Sequence, residues 1–134
     1  MKSRVLVITG GPGTGKTTLV RAIITAAEQH DLKVHLMAPT GRAAKRLALA
    51  SHMDADTIHK ALEAEKREDG GTVFSRDESD PLEEDLIIVD EASMMDISLF
   101  YHLLSALKED ARLILVGDVD QLPPVGPGTP LKSI

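Results

Sequence analysis

The sequence predicts an α/β fold in which helices flank a mainly parallel sheet. Two observations carry that expectation. Four short apolar runs, Val5–Ile8, Val34–Ala38, Leu86–Val89 and Leu113–Val116, alternate with segments whose apolar residues recur at helical spacing. That alternation is the pattern of right-handed crossovers between parallel strands. In addition, each polar cluster follows one of the strands, where open α/β sheets gather their ligands.

The elements can be justified in chain order. Val5–Ile8 is rich in β-branched residues and stopped by Gly10–Gly11, which reads as a strand buried on both faces. Leu19, Val20, Ile23, Ile24 and Ala27 form one helical stripe that ends near His30–Asp31. Val34–Ala38 is a second strand, ended by Pro39. Thr40 then caps a helix through Ala50, with Ala43, Ala44, Leu47 and Ala48 inward and Arg42, Lys45 and Arg46 toward solvent. Asp56 or Thr57 begins a short helix through Leu62. Leu86–Val89 is the third core strand. Asp96 caps a helix whose Phe100, Leu103, Leu104 and Leu107 make one apolar stripe, and Leu113–Val116 is the fourth strand. Pro123 to Pro130 holds four prolines and two glycines and reads as loop.

Composition narrows the class. A chain of 134 residues, 43% hydrophobic and 27% charged, is one domain's worth of ordinary globular sequence. It has no cysteine, which excludes a disulfide scaffold and Cys-ligated zinc. No apolar run approaches the roughly 20 residues that cross a bilayer, and only four apolar residues follow Met1–Arg4 before Thr9, too few for a secretory leader. A cytoplasmic protein without a membrane partner is expected. The net charge of −6 is concentrated: residues 63–85 hold ten acids against three bases. That segment, with Gly70–Gly71 and a short strand at Thr72–Phe74, is expected to be an excursion from the core, a surface loop or hairpin. From Leu32 to Met53 there is no acid at all, so the rest of the chain can present a basic face.

Gly10-Gly11-Pro12-Gly13-Thr14-Gly15-Lys16-Thr17 satisfies G-x-x-x-x-G-K-[ST] in full, between a strand and a helix. A polyphosphate must be wrapped by successive backbone N–H groups, and β-carbons would block that approach. The helix that follows turns its positive end to the anion. Lys16 then bridges the β- and γ-phosphates, and the Thr17 hydroxyl ligates Mg²⁺. The bland alternative is a ligand-free turn, which the complete pattern and its flanks argue against.

Asp90 and Glu91 end the third strand. Adjacent carboxylates there are costly unless a cation or a reaction uses them. Asp90 can hold Mg²⁺ through water, and Glu91 can take a proton from the water that attacks the γ-phosphate. Pro39-Thr40-Gly41-Arg42-Ala43-Ala44-Lys45-Arg46 joins a helix start to three bases, either a phosphate-binding surface or a capped helix with a solvated face. His59, in Thr57-Ile58-His59-Lys60, suits a structural hydrogen bond better than catalysis. Gln121, in the loop after the fourth strand, could sense the γ-phosphate.

Taken in order, GGPGTGKTT, APTGRAAKRL, TIHKAL, DLIIVDEASMMD and GDVDQLPPVGPG resemble motifs I, Ia, Ib, II and III of superfamily-one DNA helicases, and most of all their RecD-like branch. The resemblance runs from Arg4 to about Leu131. It implies a P-loop NTPase fold of the RecA-like, three-layer α/β/α kind, and ATP-driven 5′→3′ movement on single-stranded DNA by two such domains. By matching position it implies ATP contacts from Gly11, Pro12, Gly13, Thr14, Gly15, Lys16, Thr17 and Thr18, and Mg²⁺ held by Thr17 and Asp90. Glu91 would be the catalytic base and Gln121 the γ-phosphate contact. Pro39, Thr40, Gly41, Arg42, Thr57 and His59 would lie along the DNA path.

The chain departs from that family in lacking the glutamine motif before the first strand and the second RecA-like domain, whose arginines complete the ATP site. A single RecA-like ATP-binding domain over 1–134, cut from a bacterial motor and nearly inactive alone, is therefore expected. Two other classes stay open: a nucleotide-dependent interaction module without useful turnover, and a small-molecule P-loop kinase. The kinase would need lid arginines. Beyond the acidic segment only Arg112 remains, at the start of a strand.

Overall fold

The computed structural model describes residues 4–9 and 16–117. Five parallel strands form the main sheet: β1 (Arg4–Thr9), β2 (Val34–Ala38), β3 (Ala55–Thr57), β6 (Leu86–Val89) and β7 (Arg112–Gly117). Their spatial order is β1-β7-β6-β2-β3. Connecting them are α1 (Lys16–Gln29), α2 (Gly41–Ser51), α3 (Ile58–Ala61) and α4 (Ile97–Ser105). A second, two-stranded sheet pairs β4 (Ala64–Lys66) with β5 (Thr72–Phe74).

Register divides the side chains between two faces. Leu6, Ile114, Ile88, Leu36 and Ala55 stand opposite one another across the five strands. Ile114, Ile88, Leu36 and Ala55 meet Val20, Ile24 and Ala27 of α1 and Leu47 of α2. The alternate residues, among them Val7, Leu115, Val89 and Met37, form the other face. That face packs on Ile58 of α3 and on Leu99, Phe100 and Leu103 of α4. Helices therefore cover both faces, as a parallel sheet requires. Caps match the sequence reading at two helices: Thr40 Oγ1 accepts from Ala43 N–H at 3.1 Å, and Asp96 Oδ1 from Leu99 N–H at 2.7 Å.

Two expectations need correction and a third is narrowed. β1 is not buried on both faces: Leu6 is 53% exposed, because among the described strands β1 is an edge with a neighbour on one side only. Of the two helix starts offered, Thr57 is the cap of α3, whereas Asp56 lies within the short strand β3. Ala48 is only half-buried, since it lies on the flank of the stripe made by Ala43, Ala44 and Leu47. The acidic segment forms the β4–β5 hairpin, whose turn uses Gly70 at φ +91°. It then returns to the core. Leu82 is buried, and its N–H donates to Ala106 O at 2.7 Å.

Asp85 closes that segment and gathers the amino ends of three strands. Its carboxylate accepts from Lys33 N–H at 2.8 Å and from Lys108 Nζ, and its carbonyl accepts from Arg112 N–H at 2.9 Å. His35 of β2 makes a second tie, with Nε2 2.9 Å from Asp56 Oδ2 and Nδ1 3.0 Å from Glu84 Oε1.

The Lys108 ammonium, followed by the Lys33 amide, holds the Asp85 carboxyl below its ordinary range. A carboxyl depressed on folding stabilises above its unfolded pKa of about 3.9 and loses that contribution as pH falls through the lower folded value. Asp85→Asn should therefore flatten the acid limb of stability below about pH 4, read by urea denaturation across pH. Leu103, fully buried against the sheet, sets the scale of the core. Leu103→Ala should cost about 2–5 kcal/mol in the same assay at neutral pH.

Candidate functional site

Parallel strands bring their carboxyl ends to one edge of the sheet. Val7, Leu115, Val89 and Met37 are in register, so β6 and β2 end within one residue of each other and β1 ends two residues beyond β6. α1 begins at Lys16, seven positions after Thr9. Gly11, Pro12, Gly13, Thr14 and Gly15 lie outside the described residues, as do Gln121 and the side chains of Lys16 and Thr17. Thr18 is exposed on the first turn of α1.

Asp90 directly follows β6, and its N–H donates to Met37 O at 3.0 Å, which locks it to the end of β2. Two strand spacings separate β6 from β1, about 10 Å. That places Asp90 across one intervening strand from β1. Among the described residues no three acidic or histidine side chains are arranged so that they could hold a metal ion by themselves.

Glu91 adopts φ 54°, ψ 39°. A non-glycine residue in the left-handed region costs on the order of 1–3 kcal/mol and is typical of functional sites. The turn redirects the chain from β6 into the 3₁₀ segment Ala92–Met94. Asp90 Oδ1 accepts from the Glu91 N–H at 2.9 Å. The Glu91 carboxylate faces α2, with Oε1 3.3 Å from Arg46 Nη2.

Next along the edge come the residues after β2 and β3. Thr40 caps α2, and Ala44 N–H donates to its carbonyl at 2.9 Å. Because the Thr40 hydroxyl acts as acceptor in the cap, its proton can serve a phosphate. Gly41 opens α2 with no atom within 4 Å of where a β-carbon would stand, and Arg42 is exposed. Ala38 and Thr57 are in register, so Pro39–Arg42 and Thr57 sit side by side although 15 or more residues separate them in sequence. The Thr57 hydroxyl caps α3 by accepting from Lys60 N–H at 3.1 Å. His59 is exposed, and its ring lies 6.0 Å from that of Phe74, a ring contact in place of the hydrogen bond expected for it.

Sequence reasoning placed Arg46 toward solvent and missed its pairing with Glu91. Nothing in the linear pattern marks it: the two residues are 45 positions apart, and only the adjacency of β6 and β2 joins them. Arg42, Lys45 and Arg46 share one helix face by their i, i+3 and i+4 spacing, opposite the buried Ala43, Ala44 and Leu47. Among the described residues no helix is long and apolar enough to cross a membrane.

Comparison with known proteins adds three findings. A family model described as an AAA domain, AAA_19, matches residues 1–127. The chain is 46% identical over 131 residues to the ATP-dependent RecD2 DNA helicase of Deinococcus radiodurans, covering 98% of this chain and 18% of that protein. It is 40% identical over 153 aligned residues to the RecBCD enzyme subunit RecD of Mycobacterium tuberculosis, covering 97% of this chain and 26% of that one. The chain therefore spans about a fifth to a quarter of these relatives. Among solved structures, that of Bacteroides sp Pif1 in complex with ADP-AlF4 superposes with a TM-score of 0.56 at 24% identity, over 98% of this chain and 32% of that one. This last likeness concerns the fold, an α/β P-loop NTPase.

The cap that anchors α2 can be weighed directly. Thr40→Ala should lower stability by about 1 kcal/mol, and Thr40→Ser should recover most of it in the same urea titration.

Proposed function

The chain belongs to the AAA_19 family of AAA domains, and from that premise we propose that it is the ATP-binding and hydrolysing first motor domain of a 5′→3′ DNA helicase. One observation carries this reading. The end of β1, the Asp90–Glu91 pair, the Thr40 cap and Thr57 fall on one sheet edge, in the spatial order in which a motor must join its nucleotide to its track.

In this reading residues Gly11 to Thr18 take the triphosphate of ATP on backbone N–H groups, and Lys16 neutralises its terminal oxygens. Thr17 and Asp90 supply the oxygen ligands for Mg²⁺, which when bound draws charge from the phosphates. Glu91 accepts a proton from the attacking water, and Gln121 contacts the γ-phosphate. Pro39, Thr40, Gly41, Arg42, Thr57 and His59 line the path of a single DNA strand. Contact there is with phosphates, since Phe100 is buried and the strand-side elements α2 and β3 carry no aromatic ring for bases to stack on. The partner completing the ATP site is a second RecA-like domain, whose arginine would supply about 10³–10⁵ in turnover. The cytoplasm is the compartment such a motor occupies.

Two outcomes test this. The isolated chain should turn over ATP very slowly, and a protein holding both motor domains should be stimulated by single-stranded DNA and silenced by Lys16→Ala. Fast turnover by the isolated chain that survives Lys16→Ala would refute the reading. Oligonucleotide affinity should fall steeply with salt and show little base preference, because phosphate contacts release counterions. A fluorescence titration insensitive to salt would contradict it.

A further inference from the structure

The contact between Glu91 and Arg46 joins the two halves of the candidate site. Arg46 projects from the basic face of α2, the surface read above as meeting DNA, and its Nη2 lies 3.3 Å from Glu91 Oε1. We propose that Arg46 is a positioning residue shared between Glu91 and a nucleic-acid phosphate. Without a strand it holds the Glu91 carboxylate. A strand on α2 draws the guanidinium away and releases the carboxylate to receive the proton of the attacking water. The inference rests on the function proposed above and names the contact by which the track regulates hydrolysis.

Three features make the pair a latch rather than an incidental surface contact. First, both ends are anchored. Ala43, Ala44 and Leu47 bury the opposite face of α2, and Glu91 is held in the left-handed region with its N–H committed to Asp90 Oδ1. The Cα–Cβ bond of Glu91 is thereby aimed by the backbone, and the carboxylate reaches Arg46 from it. Second, the pair is weak enough to exchange. The Arg46 side chain is 65% exposed, and ion pairs in that setting shift an equilibrium by about two- to fivefold. A phosphate oxygen pair suits the planar guanidinium at least as well as one carboxylate oxygen. Third, the competitor is drawn to the same place. Arg42 stands one helical turn before Arg46 and Lys45 beside it, and no acid occurs from Leu32 to Met53 to divert them locally.

Coupling of this kind is reciprocal: if the strand loosens Arg46 from Glu91, Glu91 must oppose the strand by the same factor. It can therefore be measured by binding alone, without turnover. The experiment is a double-mutant cycle on a fluorescent oligothymidylate at low salt without nucleotide, using wild type, E91Q, R46A and R46A/E91Q, with R46K as the conservative variant. E91Q should tighten binding about two- to fivefold when Arg46 is present, and leave affinity unchanged in the R46A background. R46K should restore part of the E91Q effect. An equal change in both backgrounds, including none, would overturn the latch and leave the DNA-binding reading standing. Failure of every variant to bind the oligonucleotide would bring down that reading, and the latch with it. In the two-domain protein, R46A should raise DNA-independent kcat severalfold with KM for ATP unchanged. A change confined to KM would count against the proposal.

Discussion

Parallel register is the constraint on which everything else in this molecule depends. Leu6, Ile114, Ile88 and Leu36 share one row, and Val7, Leu115, Val89 and Met37 the next. A one-residue slip would turn every side chain of a strand to the opposite face, where it would meet the wrong helices. The same pairing levels the strand ends. Residues that carry chemistry become neighbours because strands β6, β2 and β3 stop together, not because they are close in sequence.

The opposite end of the sheet is held by polar ties instead of packing. Asp85 takes Lys33 N–H and the Lys108 ammonium on its carboxylate, and Arg112 N–H on its carbonyl, which sews together the starts of β2, β6 and β7. His35 adds Asp56 and Glu84. A long acidic segment can thus leave the sheet at α3 and return to it at β6 without loosening the strands. Its hairpin stays outside, while Phe74 and Leu82 fasten it to the core. The net negative charge of the chain is kept in that hairpin and its flanks, clear of the basic face of α2.

Much of the architecture was legible, and the reason differs by element. β2, β6 and β7 announced themselves because strands buried on both faces must be continuously apolar. α2 and α4 were bounded by Thr40 and Asp96, since a helix start needs an acceptor for its free N–H groups. Ala55–Thr57 and Ala64–Lys66 escaped notice. Three-residue strands of mixed polarity have no periodicity of their own, and they exist only because β2 and β5 offer partners. Leu6 looked like core and is not, because exposure at an edge depends on which strands lie beside it.

The candidate site divides in the same way. Residue types nominate its candidates, Asp90–Glu91, Thr40–Gly41–Arg42 and Thr57, because each kind of chemistry demands particular atoms. Their adjacency cannot be read from residue types. That Asp90 is fastened to Met37, that Thr57 stands beside Ala38, and that Arg46 reaches Glu91 are consequences of strand order, which local sequence does not encode. Residue type decides what a group can do in water over a few ångströms. Only the folded sheet decides which groups, dozens of positions apart, are close enough to act on one another.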